Sequence, residues 1–139
     1  MKKLNYKFFL PILIIISFSS NVSSDSSKLV KNLKIEKGFS IEIFVDNIDT
    51  PRQIAESDSG NIFVGSRSAG TITAINNNKD IRIIAKGLSN STGVTYHNGD
   101  LYFSEVNSIW KIPNIDAALS SSEQMPEKVL VTNNLPSDT

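Results

Sequence analysis

The sequence has no cysteine and, among its 139 residues, a single histidine and a single tryptophan. Without cysteine there is neither a disulfide framework nor a site for a lipid-modified thiol, so an exported form must be held by core packing alone. No cluster of His, Cys or carboxylates has metal-ligand spacing, which argues against a metal centre built from this chain's side chains. His97 stands before Asn98-Gly99, a tight-hairpin signal, where its ring points into water rather than serving as a general base. Nucleophile-elbow, P-loop and dinucleotide glycine patterns are absent as well. Long apolar runs are also missing. The one candidate, Phe8 to Phe18, is interrupted by Pro11 and falls short of the roughly 20 residues that span a bilayer.

That short run has a different use. Lys2, Lys3 and Lys7 precede it and a serine-rich stretch follows, the layout of a secretory signal peptide over residues 1–24. Val22 and Ser24 are small enough to direct cleavage before Asp25, Ser17 and Ser19 offer a competing site, and an uncleaved N-terminal membrane anchor is the alternative. The expected location is periplasmic or extracellular, with no membrane attachment after cleavage. Removing three lysines leaves 11 basic against 14 acidic residues. This mildly acidic balance, without a basic stripe, excludes nucleic acid as a natural partner.

Asn, Ser and Asp punctuate the remainder every few residues, which favours short strands and an all-β fold. Residues 25–38 are a polar leader. From Phe39 to Val45 apolar and polar residues alternate, predicting a half-buried strand. Asp58-Ser59-Gly60-Asn61 is a turn cluster, Ile62 to Ser66 a dense β-prone run, Arg67-Ser68-Ala69-Gly70 a second turn and Thr71 to Ile75 the return strand. The pattern recurs about 40 residues later: Asn98-Gly99-Asp100 for the turn, Leu101 to Glu105 for the dense strand, Ile109 to Ile112 for the return. With strands at 52–57, 81–85, 94–97 and 128–132 added, the approximate repeats are 50–85 and 90–132, each four antiparallel strands. Ile115 to Leu119 reads as a helical turn on an inserted loop. Two such units within 39–139 form an incomplete β-propeller, because closed propellers carry about 4 to 8 blades.

Five segments carry a resemblance to a known family. Gly38-Phe39-Ser40-Ile41, Pro51-Arg52-Gln53-Ile54-Ala55, Gly60-Asn61-Ile62-Phe63-Val64-Gly65-Ser66-Arg67, Gly93-Val94 and Gly99-Asp100-Leu101-Tyr102-Phe103-Ser104-Glu105-Val106 resemble, in order and spacing, the N-terminal part of sorbosone dehydrogenase-like proteins. These stand with the soluble pyrroloquinoline quinone (PQQ)-dependent glucose and aldose sugar dehydrogenases. The resemblance implies the N-terminal part, about two blades, of an exported six-bladed β-propeller with four-stranded antiparallel blades. It also implies PQQ on the propeller axis, calcium bridging it to protein oxygens, a sugar or aldehyde substrate, and a histidine base that takes the hydroxyl proton while hydride passes to the quinone.

Within this chain the resemblance points to cofactor-facing residues and to no catalytic one. Arg67 ends the dense strand, where a cation could face a carboxylated quinone; its other reading is a turn arginine that ties down a neighbouring loop. Asn90, Ser91 and Thr92 lie on the crossover loop before an inner strand, where propellers present polar groups to an axial ligand, although loop polarity alone also accounts for them. Glu105 and Asn107 hold the equivalent place in the second unit. Val129-Leu130-Val131 and Leu135-Pro136-Ser137-Asp138 resemble the family's lead-in to a histidine pair, so the 139-residue chain is expected to lack the base, to bind PQQ and calcium weakly or not at all, and to self-associate through open propeller edges. A ligand- or protein-binding propeller of the NHL type and a lactonase-type propeller hydrolase are the alternatives.

Overall fold

The computed structural model describes residues 26–91, 93–121 and 124–136; the expected signal peptide and Thr92 lie outside them. The eight strands are β1 (Pro51–Glu56), β2 (Ile62–Ser66), β3 (Thr71–Ile75), β4 (Ile81–Ala85), β5 (Val94–His97), β6 (Asp100–Ser104), β7 (Ile109–Ile112) and β8 (Val129–Thr132). Two short helices accompany them, α1 (Ser26–Lys31) and α2 (Ile115–Ser120). β1 to β4 form one antiparallel sheet and β5 to β8 another, each with its strands in sequence order. The architecture is mostly β.

Turn chemistry explains why the strands fold back where they do. Asn98 and Gly99 both have positive φ, 50° and 85°, the backbone of a two-residue hairpin whose twist matches its flanking strands. At the β3–β4 turn the Asn76 side-chain oxygen accepts from the amides of Asn78 and Asp80, a local bond that holds the reversal. Gly70 has φ 60°, and its carbonyl accepts from the Leu88 amide at 3.0 Å. A Cβ there would run into the Leu88 carbonyl oxygen, so both its φ and its close approach require glycine.

The core lies between the sheets. Phe63, Ile72 and Ala74 of the first sheet meet Val94, Leu101, Phe103 and Ile112 of the second, with Leu88 and Ile115 closing the edges. Because side chains alternate across a strand, Phe63 on this face puts Ile62 and Val64 on the other. That other face is not bare, since Phe44, Val45 and Ile48 line a cavity with Ile54, Ile62, Val64 and Ile75. Burying one large apolar side chain contributes roughly 1.5–3 kcal/mol, so the shared cluster dominates cohesion.

A polar tie joins the sheets at one end. Asp116 on α2 accepts from Ser57 Oγ at 2.6 Å, from Asn61 Nδ2 at 2.9 Å and from the Tyr96 hydroxyl at 3.1 Å. The insertion that carries α2 is thereby fastened to the β1–β2 turn.

One expected strand is missing. Residues 39–45 have an alternating pattern but form no strand. A strand needs a hydrogen-bonding edge, and both edges of the first sheet's register are set by β1 and β4 without it.

Candidate functional site

Register places the expected site residues at one end. Pro51 pairs with Ser66, Ser66 with Thr71 and Ile72 with Ala85, so the β2–β3 turn and the exit of β4 flank the start of β1. In the second sheet Val94 pairs with Phe103, and Ser104 with Ile109, so the β6–β7 turn flanks the start of β5. β1 and β5 lie side by side, with Gln53 Nε2 donating to the Val94 carbonyl at 3.4 Å. Arg67, Asn90, Ser91, Glu105 and Asn107 therefore share an end. His97, on the β5–β6 turn, is exposed at the opposite end and contacts Asn98 Nδ2 at 3.0 Å.

Their surroundings differ. Arg67 is exposed and makes no hydrogen bond or ion pair among the described residues. Asn90 is exposed with φ 51°, a left-handed turn position that asparagine tolerates. Ser91 is fully buried and its Oγ has no hydrogen-bond partner among the described residues, as is also true of Ser66 Oγ at the end of β2. A buried hydroxyl left unpaired is costly, which sets these two apart from ordinary loop serines. Thr92 falls outside the described residues. Arg52 joins this end without a clear sequence signal: it sits at a register shift between Pro51 and Gln53, exposed, in the kind of bulge that re-aims a side chain.

Glu105 is occupied. Its oxygens accept from the Ser89 amide at 2.7 Å and from Trp110 Nε1 at 2.6 Å, and Lys128 Nζ lies 3.6 Å away, itself over the Trp110 ring at 4.0 Å. Burial pushes its pKa up, but the Ser89 amide, Lys128 and Trp110 outweigh burial and hold the carboxyl below its ordinary value. The connections at 67–70, 86–93 and 105–108 contain no other carboxylate. Among the described residues no group of three or more His, Cys or carboxylate side chains comes together as a metal site. Glu105→Ala should shift the emission of Trp110 to the red and lower stability by about 1–2 kcal/mol. An unchanged spectrum would show that Glu105 does not hold the indole in solution.

A cavity of about 210 Å³ lies beside this end, lined by Gln53, Gly93, Val94, Thr95, Tyr102 and Ser104 among others. Among the described residues no helix is long and apolar enough to cross a membrane.

No protein-family model matches the sequence. An uncharacterized protein of Borreliella burgdorferi is 32% identical over 123 residues, which is 88% of this chain and 32% of that protein. The chain thus spans about a third of the length of this relative. Among solved structures, virginiamycin B lyase from Staphylococcus aureus is similar at TM-score 0.47 and 22% identity over 63% of this chain and 29% of its own. The PQQ-bound aldose sugar dehydrogenase from Streptomyces coelicolor is similar at TM-score 0.44 and 18% identity, over 61% and 30%. Likenesses of this size carry no weight for function, and the architecture rests on strand order and register.

Proposed function

We propose that this chain supplies two consecutive blades of a β-propeller whose full form is an exported PQQ-dependent oxidoreductase acting on sugars or aldehydes. The observation that carries the propeller reading is the arrangement of two four-stranded meanders in sequence order, first strands adjacent, joined by the 86–93 crossover. The chemistry rests on the motif resemblance around Gly60–Arg67 and Gly99–Val106. Arg67, Asn90 and Ser91 at the crossover end are the groups that would meet the axial cofactor, and Arg52 joins them from the strand beside the axis. PQQ would supply the two-electron acceptor; these residues would orient its carboxylates and exclude water.

The test compares two products. The 139-residue chain, given PQQ and calcium, should reduce no electron-accepting dye with any aldose, because its one histidine, His97, is exposed on the β5–β6 turn, at the end opposite Arg67, Asn90 and Ser91. A full-length propeller that contains these two sheets should show PQQ-dependent dye reduction with aldoses. A longer product that leaves aldoses untouched but hydrolyses lactones or only binds a ligand would overturn the oxidoreductase reading.

A further inference from the structure

The two sheets differ at one corner. Ile62 pairs with Ile75 in the first sheet as Leu101 pairs with Ile112 in the second, which makes Asp100 the counterpart of Asn61 and Lys111 that of Ala74. Arg82 stands opposite Ala74 and Val129 opposite Lys111, so these two also correspond. In the second sheet the corner is closed, because Lys111 Nζ donates to Asp100 Oδ2 at 2.6 Å and the Asn114 amide donates to Oδ1 at 3.0 Å. In the first sheet an amide, Asn61, replaces the carboxylate, and the cation has moved one strand outward to Arg82. That guanidinium is exposed and makes no hydrogen bond or ion pair among the described residues.

A cavity of about 380 Å³ occupies this corner, between the β3–β4 hairpin and α2, lined by Asn61, Asp80, Arg82 and Ser120 with Ala74 and Leu119. Ala74 belongs to the shared core, and cross-strand partners share a face, so Arg82 stands on the face that the second sheet covers. A charge there needs water or a counter-ion within reach. The bonds that its neighbours already make settle what they can offer a ligand. Asn61 Nδ2 is given to Asp116, Ser120 Oγ donates to the Asp116 carbonyl at 2.8 Å, and Asp80 Oδ2 accepts from the Asn76 side chain at 3.0 Å. Asn61 Oδ1 and Asp80 Oδ1 remain as acceptors among the described residues, and Arg82 as the charged donor.

We propose that this cavity binds a small hydroxylated carboxylate, a sugar acid of the aldonate or uronate class. Arg82 takes the carboxylate through its planar fork, supplying the charge pairing that Asp100 and Lys111 make in the second sheet. Hydroxyls beside that carboxylate donate to Asn61 Oδ1 and Asp80 Oδ1, and Ala74 and Leu119 meet the C–H surface of the ligand. One arginine with Asp80 next to it suits a single negative charge. A phosphate monoester, at about −1.5 to −2, would meet the Asp80 carboxylate with no second cation in the lining. The volume of about 380 Å³ falls within the roughly 300–1,000 Å³ of small-molecule sites. The cavity lies at the end of the sheets opposite Arg67, Asn90 and Ser91, so the proposal does not rest on the oxidoreductase reading.

Titration of the full chain with sodium gluconate at constant ionic strength, followed by the amide resonances of Asn61, Asp80 and Arg82, tests it. Saturable shifts with a Kd of roughly millimolar are expected, while glucose and acetate, each with half of the recognised chemistry, should bind about tenfold more weakly or worse. Arg82→Gln should abolish gluconate binding and leave the melting temperature unchanged, because the side chain is exposed and unpaired among the described residues. Arg82→Lys keeps the charge without the fork and should recover part of the binding. Asp80→Asn should narrow the preference for gluconate over acetate. The absence of saturable shifts overturns the proposal, and so do shifts that survive Arg82→Gln. Acetate bound as tightly as gluconate would mean an adventitious ion only and overturn it too.

Discussion

Phe63→Ala is expected to abolish the cooperative unfolding of this chain. The side chain is fully buried in the one cluster that both sheets share, where Val94, Leu101, Phe103 and Ile112 surround it. Removing a buried phenylalanine costs about 3–5 kcal/mol, the transfer loss plus the cavity left behind. A small domain commonly has about 5–15 kcal/mol in total, so this loss takes a large share of it. Phe39→Ala is the matched control, because Phe39 is 78% exposed and its loss should change stability by less than about 0.5 kcal/mol. Urea melts followed at Trp110 report both. A sharp transition retained by Phe63→Ala would mean that the sheets are not held by this cluster.

Asp116→Ala should have the next largest effect, about 2–3 kcal/mol, and should remove part of the acid sensitivity of folding. Three donors converge on this carboxylate, and Ser57 is buried, so alanine leaves their hydrogen bonds unmade. Burial pushes the Asp116 carboxyl up, but the bonds from Ser57, Asn61 and Tyr96 together hold it below its ordinary value. A carboxyl with a depressed folded value contributes stability above its unfolded pKa, about 3.9, and loses it as pH falls through the lower folded value. Stability of the natural sequence should therefore drop as acid is added below about pH 4, and the Asp116→Ala protein should drop less steeply there. Tyr96 complements this: burial, then Asp116, raises its phenol, which keeps the proton it donates. Parallel pH profiles for the two proteins would show that the tie between α2 and the β1–β2 turn is not made.

What the sequence made legible was local. Ile62 to Ser66, Thr71 to Ile75 and Ile81 to Ala85 are strands at the expected residues, since turn residues and alternation are properties of neighbours in the chain. The same logic misread Phe39 to Val45. Its alternation is that of a strand, but pairing depends on an edge elsewhere, and no edge reaches it. Long-range features were equally hidden. Asp116 reaches Ser57 across 59 residues, and nothing around either residue announces the other. The shared end of Arg67, Asn90 and Ser91 could be foreseen, because alternate connections of a meander fall on the same side. The burial of Ser91 and the bulge at Arg52 could not, since both depend on how the crossover loop and the start of β1 settle on their neighbours.

Amide hydrogen exchange across the whole chain tests the central claim most directly, namely that two four-stranded sheets share one core. The amides within Phe63–Ser66, Ile72–Ile75, Leu101–Phe103 and Trp110–Ile112 should open together, with a single free energy equal to that of global unfolding. The amides of 41–45, which form no strand, should exchange fast. Separate opening of the two sheets, or protection of 41–45 in the chain by itself, would contradict the account.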